Sequence, residues 1–166
     1  MTGQLNKAVI LARMADERAA FEQAIAGLNA EQMTVPQVMD TWTIKDILAH
    51  ITAWERDLLN WLDMAQRGMT LPIPPGNGWD AYIEEFNACT YAANRDRPLE
   101  DVLAEFDAIY TRLMDELRAL PEDPADPLWA VWEGGQPPWR LLATFYGHYR
   151  EHRLPIEAWR RGSMQA

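Results

Sequence analysis

Apolar residues along this chain recur three and four positions apart, and they do so in four long runs with little strict alternation between them. Ile10, Met14, Phe21, Ile25 and Leu28 form the first stripe and predict a helix from Leu5 to Leu28. Glu17 and Arg18 interrupt it near the middle. Charged side chains rarely bury completely, so both are expected to snorkel at the stripe's edges. The second stripe is Ile44, Ile47, Ile51, Trp54, Leu58, Trp61 and Leu62. Thr43 and Asp46 ahead of it make the S/T-x-x-D pattern of a capping box, and Gly68 suits the stop. Val102, Phe106, Ile109, Leu113 and Leu117 form the third, with Pro98 in the first turn and an end near Leu120. The fourth runs from Pro138 to about Trp159, along Leu141, Phe145, Ile156 and Trp159. Pro155 removes one backbone bond there and should bend the helix end.

The connections are as telling as the stripes. Residues 69–78, MTLPIPPGNG, are too rich in proline and glycine for helix and too long for a tight turn. Such a segment can carry the chain along a bundle, so neighbouring helices need not be strictly up-and-down. A shorter helix is expected over Trp79–Asn94. Residues 121–138 hold Trp129 and Trp132, and are expected to pack down on the core. The pattern therefore predicts an all-α fold: a four-helix bundle with long connections after helices 2 and 3, in a single domain spanning residues 1–166.

Composition narrows the function. At 166 residues and 48% hydrophobic content the chain suits one sizeable core. The formal net charge is −10, and so acidic a surface repels phosphate backbones; no nucleic-acid partner is expected. No run of 18 apolar residues occurs, so no membrane partner is expected either. The N-terminal residues are charged and lack a secretory signal pattern. Cys89 is the one cysteine, which excludes an internal disulfide and points to the cytoplasm.

The candidate chemistry lies in the histidines, of which there are three. At 100° per residue His50 falls on the core side of the second helix, beside Trp54 and Trp61. His148 and His152 fall in the centre of the fourth helix's stripe, and an i, i+4 pair stacks on one face. HxxxH with a third histidine from another helix offers three neutral nitrogens to a divalent metal ion and leaves a coordination position open. The competing reading, three satisfied core histidines, is of comparable weight on spacing alone. Glu55, one turn beyond His50, is the candidate catalytic residue, as a general base or as a partner orienting an imidazole; a bundle-edge salt bridge is the plainer alternative. Asp46 is read as a cap, Glu151 as solvated or paired with Arg150 or Arg153. Tyr146 and Tyr149 are read as packing residues with polar tips, and Cys89 as a small buried hydrophobe. No Ser-His-Asp pattern, glycine-rich phosphate loop or CxxC pair occurs.

Residues 42–55, WTIKDILAHITAWE, resemble the second-helix motif of the DinB/YfiT-like superfamily, and most of all its ClbS/DfsB-type branch. GHYREH at 147–152, followed by Trp159, resembles the last-helix motif of the same group, and WDAYIEEFN and LEDVLAEFDAIYTRLM fit the pattern between them. The resemblance covers almost the whole chain. It implies a triple-histidine divalent-metal site with His50, His148 and His152 as ligands, nickel or zinc as the ion, and a homodimer. For activity it implies thiol transfer, with mycothiol, bacillithiol or a similar thiol, or hydrolysis of a small molecule. Its alternatives are a small-molecule binding or resistance protein and a stress-associated structural homodimer.

Overall fold

The computed structural model describes residues 5–72 and 78–163. It contains six α-helices in the order α1 (Lys7–Ile25), α2 (Ala30–Thr34), α3 (Ile44–Gln66), α4 (Trp79–Asn94), α5 (Leu99–Ala119) and α6 (Trp139–Ser163). Four of these, α1, α3, α5 and α6, are the long bundle helices that the stripes predict. Residues 73–77, the middle of the proline-rich connection, lie outside the described residues. Among the described residues there is no strand, only a single bridge between Met39 and Trp42.

Local chemistry sets where the helices begin. The Asn6 side chain accepts from the Val9 N–H at 3.0 Å to start α1. The expected capping box opens α3: the Asp46 N–H donates to Thr43 Oγ1 at 3.2 Å and the Thr43 N–H to Asp46 Oδ2 at 3.0 Å. Gly68 adopts a φ of 65° just past α3, the left-handed conformation that ends a helix cheaply in glycine. Helix C-termini are closed from a distance by cations on other helices. Lys7 of α1 donates to the Leu120 carbonyl past α5 at 2.8 Å. Lys45 of α3 donates to the carbonyls of Asn94 and Arg95 at the end of α4, at 3.1 and 2.7 Å. Arg160 of α6 reaches the Ala24 carbonyl at the end of α1 at 2.7 Å. Each pairing meets orphan carbonyls with positive charge at the negative end of a helix dipole, and each locks two helices in register.

Helix α1 packs chiefly on α6 and α3 chiefly on α5, while α4 leans against the outside of α3. Ile10, Met14, Phe21, Ile47, Leu58, Trp61, Phe106, Leu113 and Ile156 make one continuous core. Residues 121–138 pack down as expected. They form two short 3-10 turns, and Trp129 and Trp132 are buried.

Several expectations are corrected. Arg18 does not snorkel: it is 3% exposed and sits inside the bundle. The inward face of α6 is rotated by one residue from the expected stripe. Leu142, Phe145, Tyr149, His152 and Ile156 are buried, whereas Leu141 and His148 are half-buried. Cys89 is exposed because α4 buries only a narrow face. α6 runs through Pro155 to Ser163. α2 was not expected; its five residues are too few for a periodic signal. Glu151, by contrast, is exposed, as expected of a solvated residue, and Arg153 pairs with Glu17 and Glu157.

Candidate metal centre

The inward faces of α3 and α6 bring the three histidines together. His50 Nε2 lies 2.7 Å from His148 Nε2, and His152 Nε2 lies 2.9 Å from the same atom. His50 and His152 are buried and His148 is half-buried. The i, i+4 stacking on α6 supplies two of these nitrogens, and the seventh residue of α3 supplies the third.

Burial holds all three rings neutral. It pushes the His50 pKa down to about 3, with help from the neighbouring His152, and that of His152 down to about 4. His148 is also driven well below the usual histidine range, by burial first and then by the other two rings. Neutral imidazoles are the form a metal needs. The donor set fits an ion: three lone-pair nitrogens converge on one point, all within 4.8 Å of one another. A tetrahedral shell with nitrogens about 2.0–2.1 Å from zinc spaces them by roughly 3.3 Å, so the tips of His50 and His152 each need to part from that of His148 by about 0.5 Å. Nδ1 of His50 and of His152 are buried without a partner, so these rings are oriented by packing and not by a hydrogen-bonded carboxylate.

Aromatic rings do that packing. Trp42 lies edge-on to His50 at 4.8 Å and stacks on His152 at 6.5 Å and on Tyr91 at 6.2 Å. Trp54 meets His50 and His148 edge-on, and its indole N–H donates to Asn87 Oδ1 at 3.1 Å. Beside the histidines opens a cleft of about 380 Å³, lined by Met39, Asp40, Thr41, Trp42, Asn87, His50 and His152. Trp42 and Asn87 fall within the family motifs, but the other residues of the 39–42 turn give no sequence signal. All join the site through a turn and a helix whose packing no local pattern encodes.

Glu55 occupies a second polar cluster and does not line the cleft. It is 1% exposed, and its Oε1 accepts the Tyr149 hydroxyl at 2.6 Å while Oε2 has no partner. Burial raises its pKa to about 7, against the opposing pull of the Tyr149 hydrogen bond and the Arg18 charge. Arg18 donates to the Phe106 carbonyl at 3.1 Å, Tyr149 Oη at 3.3 Å, Glu22 at 2.6 Å and Asp107 at 2.5 Å. Its guanidinium lies 3.6 Å from the Phe106 ring centroid.

With fold and site in hand, the chain belongs to the mycothiol maleylpyruvate isomerase N-terminal domain family, whose pattern matches residues 14–152. Solved structures agree on the fold. The lethal-factor precursor protein DfsB aligns with a TM-score of 0.76 at 19% identity, over 98% of this chain and 99% of its own. The colibactin self-resistance protein ClbS, crystallised with a double-stranded DNA, aligns at 0.73 and 13% identity, over 95% and 96%. An uncharacterised protein from Escherichia coli UTI89 aligns at 0.77 and 13% identity, over 96% and 95%. No curated protein matches the chain. These findings bear out the resemblance to the DinB/YfiT-like superfamily and, in fold, to its ClbS/DfsB branch.

Proposed function

We propose that the protein is a metal-dependent enzyme acting on a small molecule, with His50, His148 and His152 as the ligands of one divalent ion, nickel or zinc. The observation that carries this reading is the convergence of the three Nε2 atoms, 2.7 and 2.9 Å from one another along the set, next to the cleft. Bound there, the ion supplies a Lewis acid and an open position for a thiol, water or substrate oxygen, which suits thiol transfer or hydrolysis. The chain's own residues do the rest. Trp42 closes one wall and limits water. Asn87, its oxygen already taken by Trp54, presents its amide N–H group to a substrate acceptor. Glu55 acts through Tyr149, the neighbour of His148, and is a positioning residue that holds this turn of α6. A proton on Glu55 near neutrality would also let it serve as an acid–base reservoir, the catalytic part expected of it.

The aromatic cleft favours one alternative, capture of a toxic electrophile without turnover, as the self-resistance activity named for ClbS suggests. ClbS was crystallised with DNA, but this chain's charge of −10 opposes a phosphate backbone, and we assign it no nucleic-acid partner. The described residues contain no helix long and apolar enough to cross a membrane. A homodimer is proposed as well, and sedimentation at micromolar concentration checks it.

Calorimetric titration of zinc and nickel into metal-free protein tests the metal reading. One ion per chain is expected, with binding lost in His148→Ala; because burial keeps the rings neutral, binding by the folded protein should persist through pH 6 and fade only as pH falls toward 4. Equal uptake by both proteins, or no uptake by either, ends the reading. A thiol-plus-electrophile assay on the loaded protein then separates turnover from capture.

A further inference from the structure

We propose that the cleft selects a small molecule with a protonated amine beside a flat apolar part, and that Asp40 is the residue that sets this selectivity. This deepens the metal-site reading by naming the class of ligand, and it rests on the cleft being the substrate site.

Charge is the first argument. Among the residues lining the cleft Asp40 alone carries a charged side chain of the Asp, Glu, Lys or Arg kind, and no lysine or arginine is among them. Nor do residues 1–4, 73–77 or 164–166, outside the described residues, include a lysine, arginine or histidine. In the metal-free protein, a dicarboxylate entering here finds no side-chain cation to receive it and one carboxylate to repel it.

Backbone conformation is the second. Asp40 has a φ of 51°, and it is the one non-glycine residue with a positive φ among the described residues. It stands at the first central position of the turn Met39–Trp42, which is closed by Trp42 N–H donating to the Met39 carbonyl at 2.8 Å. Aspartate, like glycine and asparagine, is favoured at this position, so the turn accounts for the backbone of Asp40 and leaves its carboxylate uncommitted. Its carboxylate is exposed, and it makes no hydrogen bond or ion pair with any described residue. Two residues on, Trp42 is fixed by stacking on Tyr91 and His152, so the turn holds the carboxylate at the mouth while the indole offers the flat wall. An ammonium group between an indole face and a carboxylate gains from both.

The experiment uses three probes that share a phenyl ring: phenethylamine, 2-phenylethanol and phenylsuccinate. Each is titrated into the full metal-free protein and followed by saturation-transfer NMR at neutral pH. Phenethylamine should bind best, roughly fivefold over the alcohol, the scale of an exposed ion pair, with the dianion weakest. Asp40→Gly and Asp40→Asn should erase the preference for the amine and leave the alcohol unchanged. Glycine suits the turn, so unfolding is not a confounding outcome. Equal binding of all three probes, tightest binding of the dianion, no binding of any, or a preference that survives Asp40→Gly each overturns the proposal. Zinc uptake, measured on the same samples, separates the two readings. Lost uptake with a retained amine preference sinks the metal site alone, and normal uptake with no preference sinks the proposed selectivity alone.

Discussion

Two clusters of titratable side chains lie inside one bundle and share the same helices, yet they are built to opposite ends. His50, His148 and His152 are neutral, touch mainly one another and aromatic rings, and border a cleft. Arg18, Tyr149 and Glu55 include charged groups, are sealed from solvent, and direct their hydrogen bonds to each other, to α5 and to Glu22 of α1. Tyr149 follows His148 directly, so a step of one residue, about 100° around α6, divides the two. Burial of an ionisable group is therefore no mark of function by itself. What distinguishes the triad is lone pairs aimed at a common point beside open space, where a ligand finishes the coordination that the protein leaves incomplete.

Removing a member of the sealed cluster should cost most. Arg18→Ala strips a partner from the Phe106 carbonyl and from Tyr149 and leaves the Glu55 side deprived of its nearest cation; its exposed partners Glu22 and Asp107 count for little. A loss of about 3 kcal/mol in urea unfolding is expected, with zinc stoichiometry unchanged in whatever remains folded. A loss below about 1 kcal/mol would erase the contrast between the clusters.

Zinc should distinguish them next. Zinc at a hundred times its dissociation constant should stabilise the wild-type protein by about 2.7 kcal/mol. His148→Ala should show no such gain, while its metal-free stability stays within about 1 kcal/mol of wild type.

The pH dependence sharpens the comparison, because the clusters titrate in opposite senses. The histidines' folded pKa values are depressed, so the unfolded chain binds their protons first; their contribution is present above about 6.5 and is lost as pH falls. The Glu55 pKa is raised from 4.5 to about 7, so its contribution is full below 4.5 and is lost as pH rises to 7. Between pH 5 and 6, unfolding takes up about three protons on the histidines and releases about one from Glu55. Metal-free stability should then climb with pH by about 2.7 kcal/mol per unit, and Glu55→Gln should steepen the slope to about 4. Urea melts at three pH values read this directly; a slope that Glu55→Gln leaves unchanged would place the Glu55 proton elsewhere.

The smallest effect concerns the cleft's rim. Asp40→Gly relieves a positive φ and should leave thermal stability unchanged or raise it by up to about 1 kcal/mol. A clear loss would mean that the carboxylate supports the turn, contrary to its lack of partners.

The helices were legible in the sequence because each buries one face, and a stripe at helical spacing needs only local geometry. Thr43 with Asp46 announced the start of α3 for the same reason, since a capping box is complete within four residues. The histidines were legible as ligand candidates through two helical phases and a family pattern. Their convergence needed the crossing of α3 and α6, which brought the Nε2 atoms to 2.7 and 2.9 Å. The fate of Arg18 was not legible. A charged residue in an apolar stripe reads as an edge residue until α5 and α6 supply a carbonyl, a hydroxyl and two aromatic faces around it. The rotation of α6 that buried Tyr149 in place of His148 was likewise decided by neighbours. So were the meeting of Trp42 with His152 and of Trp54 with Asn87. Periodicity in one chain segment determines which face turns inward to within about one residue. Which polar groups meet there depends on contacts between segments a hundred residues apart, and only packing of the whole bundle sets those.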